Sequence, residues 1–293
     1  MSYTVYQIIL RLHSPLHIGY REVGYLRRTR SYVSGRALRG ALVNRVGRNQ
    51  NIRGEEPGDP FRAVSKTFAQ YLTFTYFYPA LKVKDKWEAQ FPWEDEAGFR
   101  RRFLSSYAST ALAYPHQTAA EGLLHEIEYL SPHTLDTGEP VYLMGYLFVQ
   151  EERLKREKYD WVGALRRLQL GGERGYGWGE ARLEGDPVPV TGKLFGKISC
   201  EAQANCPVVY LEENQAVLAH TFAPNAGLSG PLEPMVGREW RADNNDSRKH
   251  IGQHLAYNGV CFAPGSQTLQ ASEFILEEGG YWQMISIEKE QQP

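Results

Sequence analysis

Cysteine is scarce in this chain: Cys200, Cys206 and Cys261 are the only three in 293 residues, and no two form a CxxC pair. With an odd number and no CxxC, neither a disulfide framework nor a cysteine zinc site is expected. Long hydrophobic runs are also lacking. The densest, from Val141 to Val149, is interrupted by Gly145 and falls well short of the roughly 20 residues that span a bilayer. Met1 to Leu12 has no basic lead, and Gln7 and Arg11 break its apolar run, so no signal peptide is expected and the cytoplasm is the expected location. Lysine is absent from the first 54 residues, where the single acid is Glu22. No low-complexity tract is present.

What remains is ordinary globular material, 42% hydrophobic and 23% charged, in a chain long enough for two domains. Its overall charge of −1 hides an asymmetry. Residues 1 to 54 hold ten arginines against one acid, a net +9, which leaves −10 for the other 239 residues. A basic segment on an otherwise acidic chain is the footprint of a surface that meets a polyanion, or of one that pairs with an acidic protein. The exclusive use of arginine favours phosphate and bases, because the guanidinium forks onto phosphate and stacks on rings.

Periodicity outlines the first half. Tyr6, Ile8, Leu10 and Leu12 alternate with Gln7, Ile9, Arg11 and His13 as in a strand. An Arg-rich loop to about Tyr32 and a helix capped by Ser34 follow, with Leu38, Ala41 and Leu42 inward. Arg36 and Arg39 then stand at the positive end of that helix, a placement that makes sense if an anion sits between them. The segment 49 to 62 reads as a loop, and Thr67 to Tyr78, rich in aromatic and β-branched residues, as a strand. Phe99 to Leu112 and Trp161 to Leu168 read as helices, with Val141 to Val149 and Glu180 to Leu183 as strands. With the helix at Phe99 assigned to an insertion, the order approximates strand, helix, strand, strand, helix, strand. The fold class expected is therefore α+β, with a ferredoxin-like βαββαβ N-terminal domain over residues 1–187. Asp186-Pro187-Val188-Pro189 marks a boundary, beyond which residues 188–293 form a β-rich domain that is a candidate degenerate copy of the first.

The most informative segment is Gly171-Gly172-Glu173-Arg174-Gly175-Tyr176-Gly177-Trp178-Gly179, five glycines in nine residues. Such density lets backbone amides approach a ligand closely. No three of these glycines fit G-x-G-x-x-G, and no lysine follows as in a P-loop, so the common nucleotide motifs are excluded. Arg174 beside Tyr176 and Trp178 instead joins a phosphate binder to stacking rings, a pairing suited to single-stranded nucleic acid. The bland alternative is a tight helix-to-strand connection with inward-packed aromatics. In a ferredoxin-like order this loop joins the second helix to the last strand, next to the first strand, which brings it toward the Arg-rich segment 20 to 36.

Two other constellations carry less. Asp246, His250 and His254 share a helical face only if that segment is a helix, and then span about 12 Å, too far for one ion. No metal or cofactor is expected. Arg238, Arg241, Arg248 and Lys249 around Trp240 suit either a second RNA contact or a solvated loop.

Ser14-Pro15-Leu16-His17-Ile18-Gly19, Tyr32-Val33-Ser34-Gly35-Arg36-Ala37-Leu38-Arg39-Gly40-Ala41-Leu42, the glycine loop, and Glu126 to Pro132 with the strand at Val141 to Val149 together resemble the RAMP superfamily of CRISPR effector proteins. The resemblance covers about residues 1 to 185 and implies ferredoxin-like domains that bind guide RNA in a ribonucleoprotein. Among the family's roles, slicing backbone subunits carry an Asp after the first strand, where Gly19 to Tyr32 has only Glu22. Processing endoribonucleases carry the glycine loop near the C-terminus and often use an early His, for which His17 or His13 would be the candidates. The cap subunit of type III complexes, which holds the five-prime handle of the guide RNA, has a mid-chain loop of this type and a second domain, and it fits best. The segments Pro231 to Trp240 and Gly259 to Ser266 are also similar to second-domain segments of cap proteins. The resemblance implies a non-catalytic RNA-binding subunit with a polymerase-like large subunit and RAMP backbone subunits as partners. RNA contacts are expected from Arg21, Arg27, Arg28, Arg30, Arg36 and Arg39, and from Gly171, Gly172, Arg174, Gly175, Tyr176 and Trp178.

Overall fold

The computed structural model describes residues 3–49, 59–113, 118–203, 206–223, 227–239 and 254–285. The chain begins with β1 (Thr4–Leu12), continues into a hairpin of β2 (Gly19–Val23) and β3 (Leu26–Thr29), and then into α1 (Gly35–Asn49) and α2 (Asp59–Tyr71). After β4 (Leu72–Phe74), β5 (Tyr78–Val83) and β6 (Lys86–Ala89) come α3 (Glu96–Phe103), β7 (Leu104–Ser109) and β8 (His125–Leu130). The half closes with β9 (Tyr142–Val149), α4 (Glu151–Glu157), α5 (Trp161–Leu165), β10 (Glu180–Leu183) and β11 (Val188–Val190).

In the main sheet β10, β1, β9 and β5 lie side by side, each antiparallel to its neighbour, with β4 also paired to β9. Numbered along the chain, the order is fourth, first, third, second, which is compatible with a ferredoxin-like unit. β11 pairs with β1 as well, so the ladder of the first half extends to Val190.

The core explains why β9 reads as one continuous apolar run: all eight of its residues are buried. Leu143, Leu147 and Val149 join Ile8, Leu10 and Leu12 beneath Leu38, Leu42 and Val46 of α1 and Val64 and Phe68 of α2. Tyr142, Met144, Tyr146 and Phe148 face the other way, into a second core with Val209, Leu211, Phe274 and Trp282 of the C-terminal half. The mixed face of β1 is covered as well, with Val5 and Ile9 in that second core. A sheet sandwiched on both sides loses the polar alternation of a half-solvated one.

The C-terminal half is β-rich, as expected. Its main sheet has eight strands, and it ends in a long hairpin of Leu232–Glu239 and His254–Phe262. No helix occurs among its described residues, so a ferredoxin-like order is not visible there.

Several local expectations are corrected. The Arg-rich loop is the β2–β3 hairpin, turned at Gly24-Tyr25. Helix α2 covers Asp59 to Arg62, expected to be loop, and Thr67 to Tyr71, expected to be strand. Phe61, Val64, Phe68 and Tyr71 fall three to four residues apart, and this helical period outweighs the strand-like composition. The helix expected from Phe99 stops at Phe103, where the chain enters β7, and the one from Trp161 stops at Leu165. The insertion is thereby a sheet: β2, β3, β8 and β7 lie side by side, with β3 and β8 parallel.

Candidate nucleic-acid interface

The glycine loop is seated on the segment that follows β1. Gly172 N donates to His17 O (2.8 Å), Gly179 N to Pro15 O (2.7 Å) and Glu180 N to Ser14 Oγ (2.8 Å). Two glycines are required by this seat. Gly171 has φ +71° and a Cβ there would lie 2.2 Å from His17 O; Gly179 has φ +80° and a Cβ would lie 1.9 Å from Leu170 O. Between them Arg174–Tyr176 form a single 3₁₀ turn, steadied by Gln169 Nε2 donating to Arg174 O (3.0 Å). Arg174, Gly175 and Tyr176 are exposed at its tip.

The loop faces the start of α1. Ser34 caps that helix as expected, with Ala37 N 3.4 Å from its Oγ, and no acid occupies the first turn. Ser34, Arg36 and Asn44 on one side and Gln169, Gly171 and Arg174 on the other line a cleft of about 450 Å³. The hairpin residues Val236 and Gly237 close its end, with the Arg36 guanidinium against the Gly237 backbone. Helix start, two guanidiniums and glycine backbone are the elements of an anion site.

The other predicted arginines are placed differently. Arg39 turns away from the cleft to Glu278 of the C-terminal half and to Ser65 O (2.9 Å), so the protein itself supplies the anion at that position. Arg28 pairs with the buried Glu128 (3.5 Å), which also binds Arg100 (2.6 Å) and accepts from Thr29 N. Arg27 lies 3.8 Å from Glu22 on the exposed hairpin, and Arg21 sits 5.5 Å from the centroid of the Tyr20 ring. Arg30 enters a sheltered network: its Nη1 reaches Tyr32 Oη (2.7 Å) and Glu233 Oε2 (2.9 Å), while its head lies over Tyr20 (4.5 Å). Glu233 also accepts from His220 Nε2 (3.0 Å), whose Nδ1 accepts from Tyr76 Oη (2.7 Å). Burial alone would raise the Glu233 carboxyl, but the His220 hydrogen bond and the Arg30 charge hold it down at about 2. Burial lowers His220, which stays neutral.

Of the two candidate histidines, His17 is buried and its Nδ1 shares a hydrogen bond with Glu128 O (2.7 Å), while its carbonyl holds the glycine loop. His13 is exposed, and partial burial with the nearby Arg182 and Arg11 lowers its pKa. Asp246, His250, Arg241, Arg248, Lys249 and Trp240 lie outside the described residues, and no group of three metal-ligating side chains occurs among those described. A second depression, of about 490 Å³, lies among Phe91, Asp95, Phe99 and Arg102 and touches none of the predicted site residues. Sequence reasoning missed Tyr20, which packs on its near neighbours Arg21 and Arg30, and His220, Glu233 and Glu278, which lie far along the chain from the rings and arginines they meet.

No family model and no curated protein matches the chain. It is similar to a chain in the cryo-EM structure of the type III-B Cmr-beta bound to cognate target RNA, at 12% identity and a TM-score of 0.46, covering 89% of this chain and 86% of that one. It is also similar to one in the state 1 structure of Cmr-beta with cognate target RNA and AMPPnP (10% identity, TM-score 0.48, 89% and 85% covered). A third likeness is to a chain of the apo Cmr-beta structure (10%, 0.40, 61% and 96%). No helix among the described residues is long and apolar enough to cross a membrane.

Proposed function

We propose that this chain is a non-catalytic RNA-binding subunit of a type III CRISPR ribonucleoprotein, seated as the cap that holds the five-prime handle of the guide RNA. The observation that carries the reading is the cleft in which Arg36 and the start of α1 meet Gly171 and Arg174 of the glycine loop. A phosphodiester strand laid there has two forked cations, glycine backbone and a helix N-terminus to neutralise it, with Tyr176 and Trp178 beside it for bases. The resemblance to the RAMP superfamily supplies the ribonucleoprotein context. It also supplies the partners, a polymerase-like large subunit and RAMP backbone subunits, and with them a cytoplasmic location.

In this reading residues 1–187 are the RNA-binding domain and residues 188–293 the β-rich domain whose long hairpin closes the cleft. Arg21 and Arg27 on the exposed hairpin extend the phosphate track, while Arg28, Arg30 and Arg39 shape it through their acid partners. His17 serves as a seat for the loop, and no bond-breaking role is assigned to it or to His13. The test incubates the full chain with labelled guide RNA carrying the handle and with repeat RNA, in EDTA, and follows binding and cleavage together. Handle-dependent binding without cleavage is expected. Specific cleavage, or no RNA affinity at all, overturns the reading.

A further inference from the structure

The glycine loop has a second side. The N–H of Trp178 folds back on Glu173 O (3.4 Å), so its indole emerges from the same turn that presents Arg174. It meets two tyrosines from the insertion sheet, with ring centroids 5.1 Å from Tyr129 and 6.4 Å from Tyr107 at near-perpendicular angles. Register explains the convergence. Tyr107 of β7 lies opposite Ile127 of β8, and Tyr129 lies opposite Ser105, which sets both tyrosines on one face of the sheet, diagonally adjacent. Arg27 of β3, also opposite Ile127, puts a cation on that face. Rings grouped this way ordinarily fill a core. Here Tyr107 is 58% exposed, and Tyr129 and Trp178 are half-buried.

We propose that Trp178, Tyr129 and Tyr107 form a base-stacking platform for single-stranded RNA, contiguous with the Arg36–Arg174 cleft through the glycine loop. This rests on the RNA-binding reading and deepens it, because it states that the bound strand has at least one unpaired base splayed onto the insertion sheet. The occupant follows from the neighbourhood. A strand whose phosphates lie against Arg174 carries its bases on the flank of the same turn, where an arginine and edge-packed rings offer flat faces to any base. The contacts also divide the roles of the two loop aromatics. Trp178 is braced by two rings, whereas Tyr176 projects 84% exposed and has no ring contact among the described residues.

The test measures binding of full-length wild type, Tyr107→Ala and Tyr107→Phe to handle-bearing guide RNA, to the same RNA with a single abasic site moved along the handle, and to polyphosphate. Tyr107→Ala is expected to weaken RNA binding between about fivefold and about a hundredfold, to leave the salt slope and polyphosphate binding unchanged, and to be rescued by Tyr107→Phe. At one abasic position wild type and Tyr107→Ala should bind alike, since the base that the ring would stack is gone. Tyr107→Ala binding like wild type, or a loss that persists at every abasic position, overturns the platform while leaving the RNA-binding reading standing. A Tyr107→Ala chain that binds RNA normally but loses a protein partner assigns the face to a subunit contact and overturns it too. Failure of wild type to bind RNA removes both.

Discussion

Glu233→Ala is expected to be among the most destabilising single changes in this chain, because one carboxylate holds together parts of the molecule that are far apart in sequence. It accepts hydrogen bonds from Arg30 at the end of the β2–β3 hairpin and from His220 of the C-terminal half, which in turn holds Tyr76 in the second core. The side chains of Arg30 and Glu233 are 20% and 16% exposed, so removing the acid leaves a guanidinium largely shielded from water and without its counter-charge. Breaking a buried charge pair costs about 3–5 kcal/mol. With solvent still reaching both groups the lower figure applies, and at roughly 2–4 °C per kcal/mol the melting temperature should fall by about 6–12 °C. The pH dependence gives an independent check. A carboxyl held at about 2 in the folded chain against an ordinary 4.5 contributes stability that is fully present above 4.5 and is lost as pH falls through 2. His220 acts in the same sense: it is kept neutral by burial, so below 6.5 the unfolded chain gains the proton first and stability falls with acid. The gap in stability between wild type and Glu233→Gln should therefore narrow by about 1 kcal/mol between pH 7 and pH 4. The assay is thermal and urea unfolding of both variants across that range. A melting shift below 2 °C for Glu233→Ala, or a gap that stays constant with pH, refutes the argument that this carboxylate ties the halves together.

Arg36→Ala and Arg174→Ala should each weaken RNA binding and reduce the slope of log affinity against log salt by about 1, measured by titration at several salt concentrations. The same change at Arg39, already occupied by Glu278, should leave that slope unaltered. Gly171→Ala forces a side chain onto the His17 carbonyl at a left-handed φ, and should cost about 1–3 kcal/mol in unfolding free energy. Hydrogen exchange at the Gly172 and Gly179 amides should accelerate in that variant before the core strands open.

The α+β class, β1, β9, β10 and the Ser34-capped helix were legible because each repeats one residue pattern within a short window. The approach of the glycine loop to the Arg-rich segment was also legible, since the order of elements fixes which strands are neighbours. What failed was local. Thr67 to Tyr71 looks like a strand from its side chains, yet Phe68 and Tyr71 continue the helical period that Phe61 and Val64 begin in α2. The Arg-rich loop is a hairpin because β8, about a hundred residues on, offers β3 an edge to pair with.

Composition and period, which belong to the chain alone, establish the basic first segment, the glycine turn with its arginine and rings, and the apolar alternation that builds the main sheet. Which arginines line the cleft is settled by contacts between distant segments. Arg36 and Arg174 face a cleft, while Arg28, Arg30 and Arg39 meet Glu128, Glu233 and Glu278. The physical reason is that a guanidinium's role depends on the nearest carboxylate in space, and here those carboxylates lie about a hundred residues or more along the chain from the arginines they neutralise.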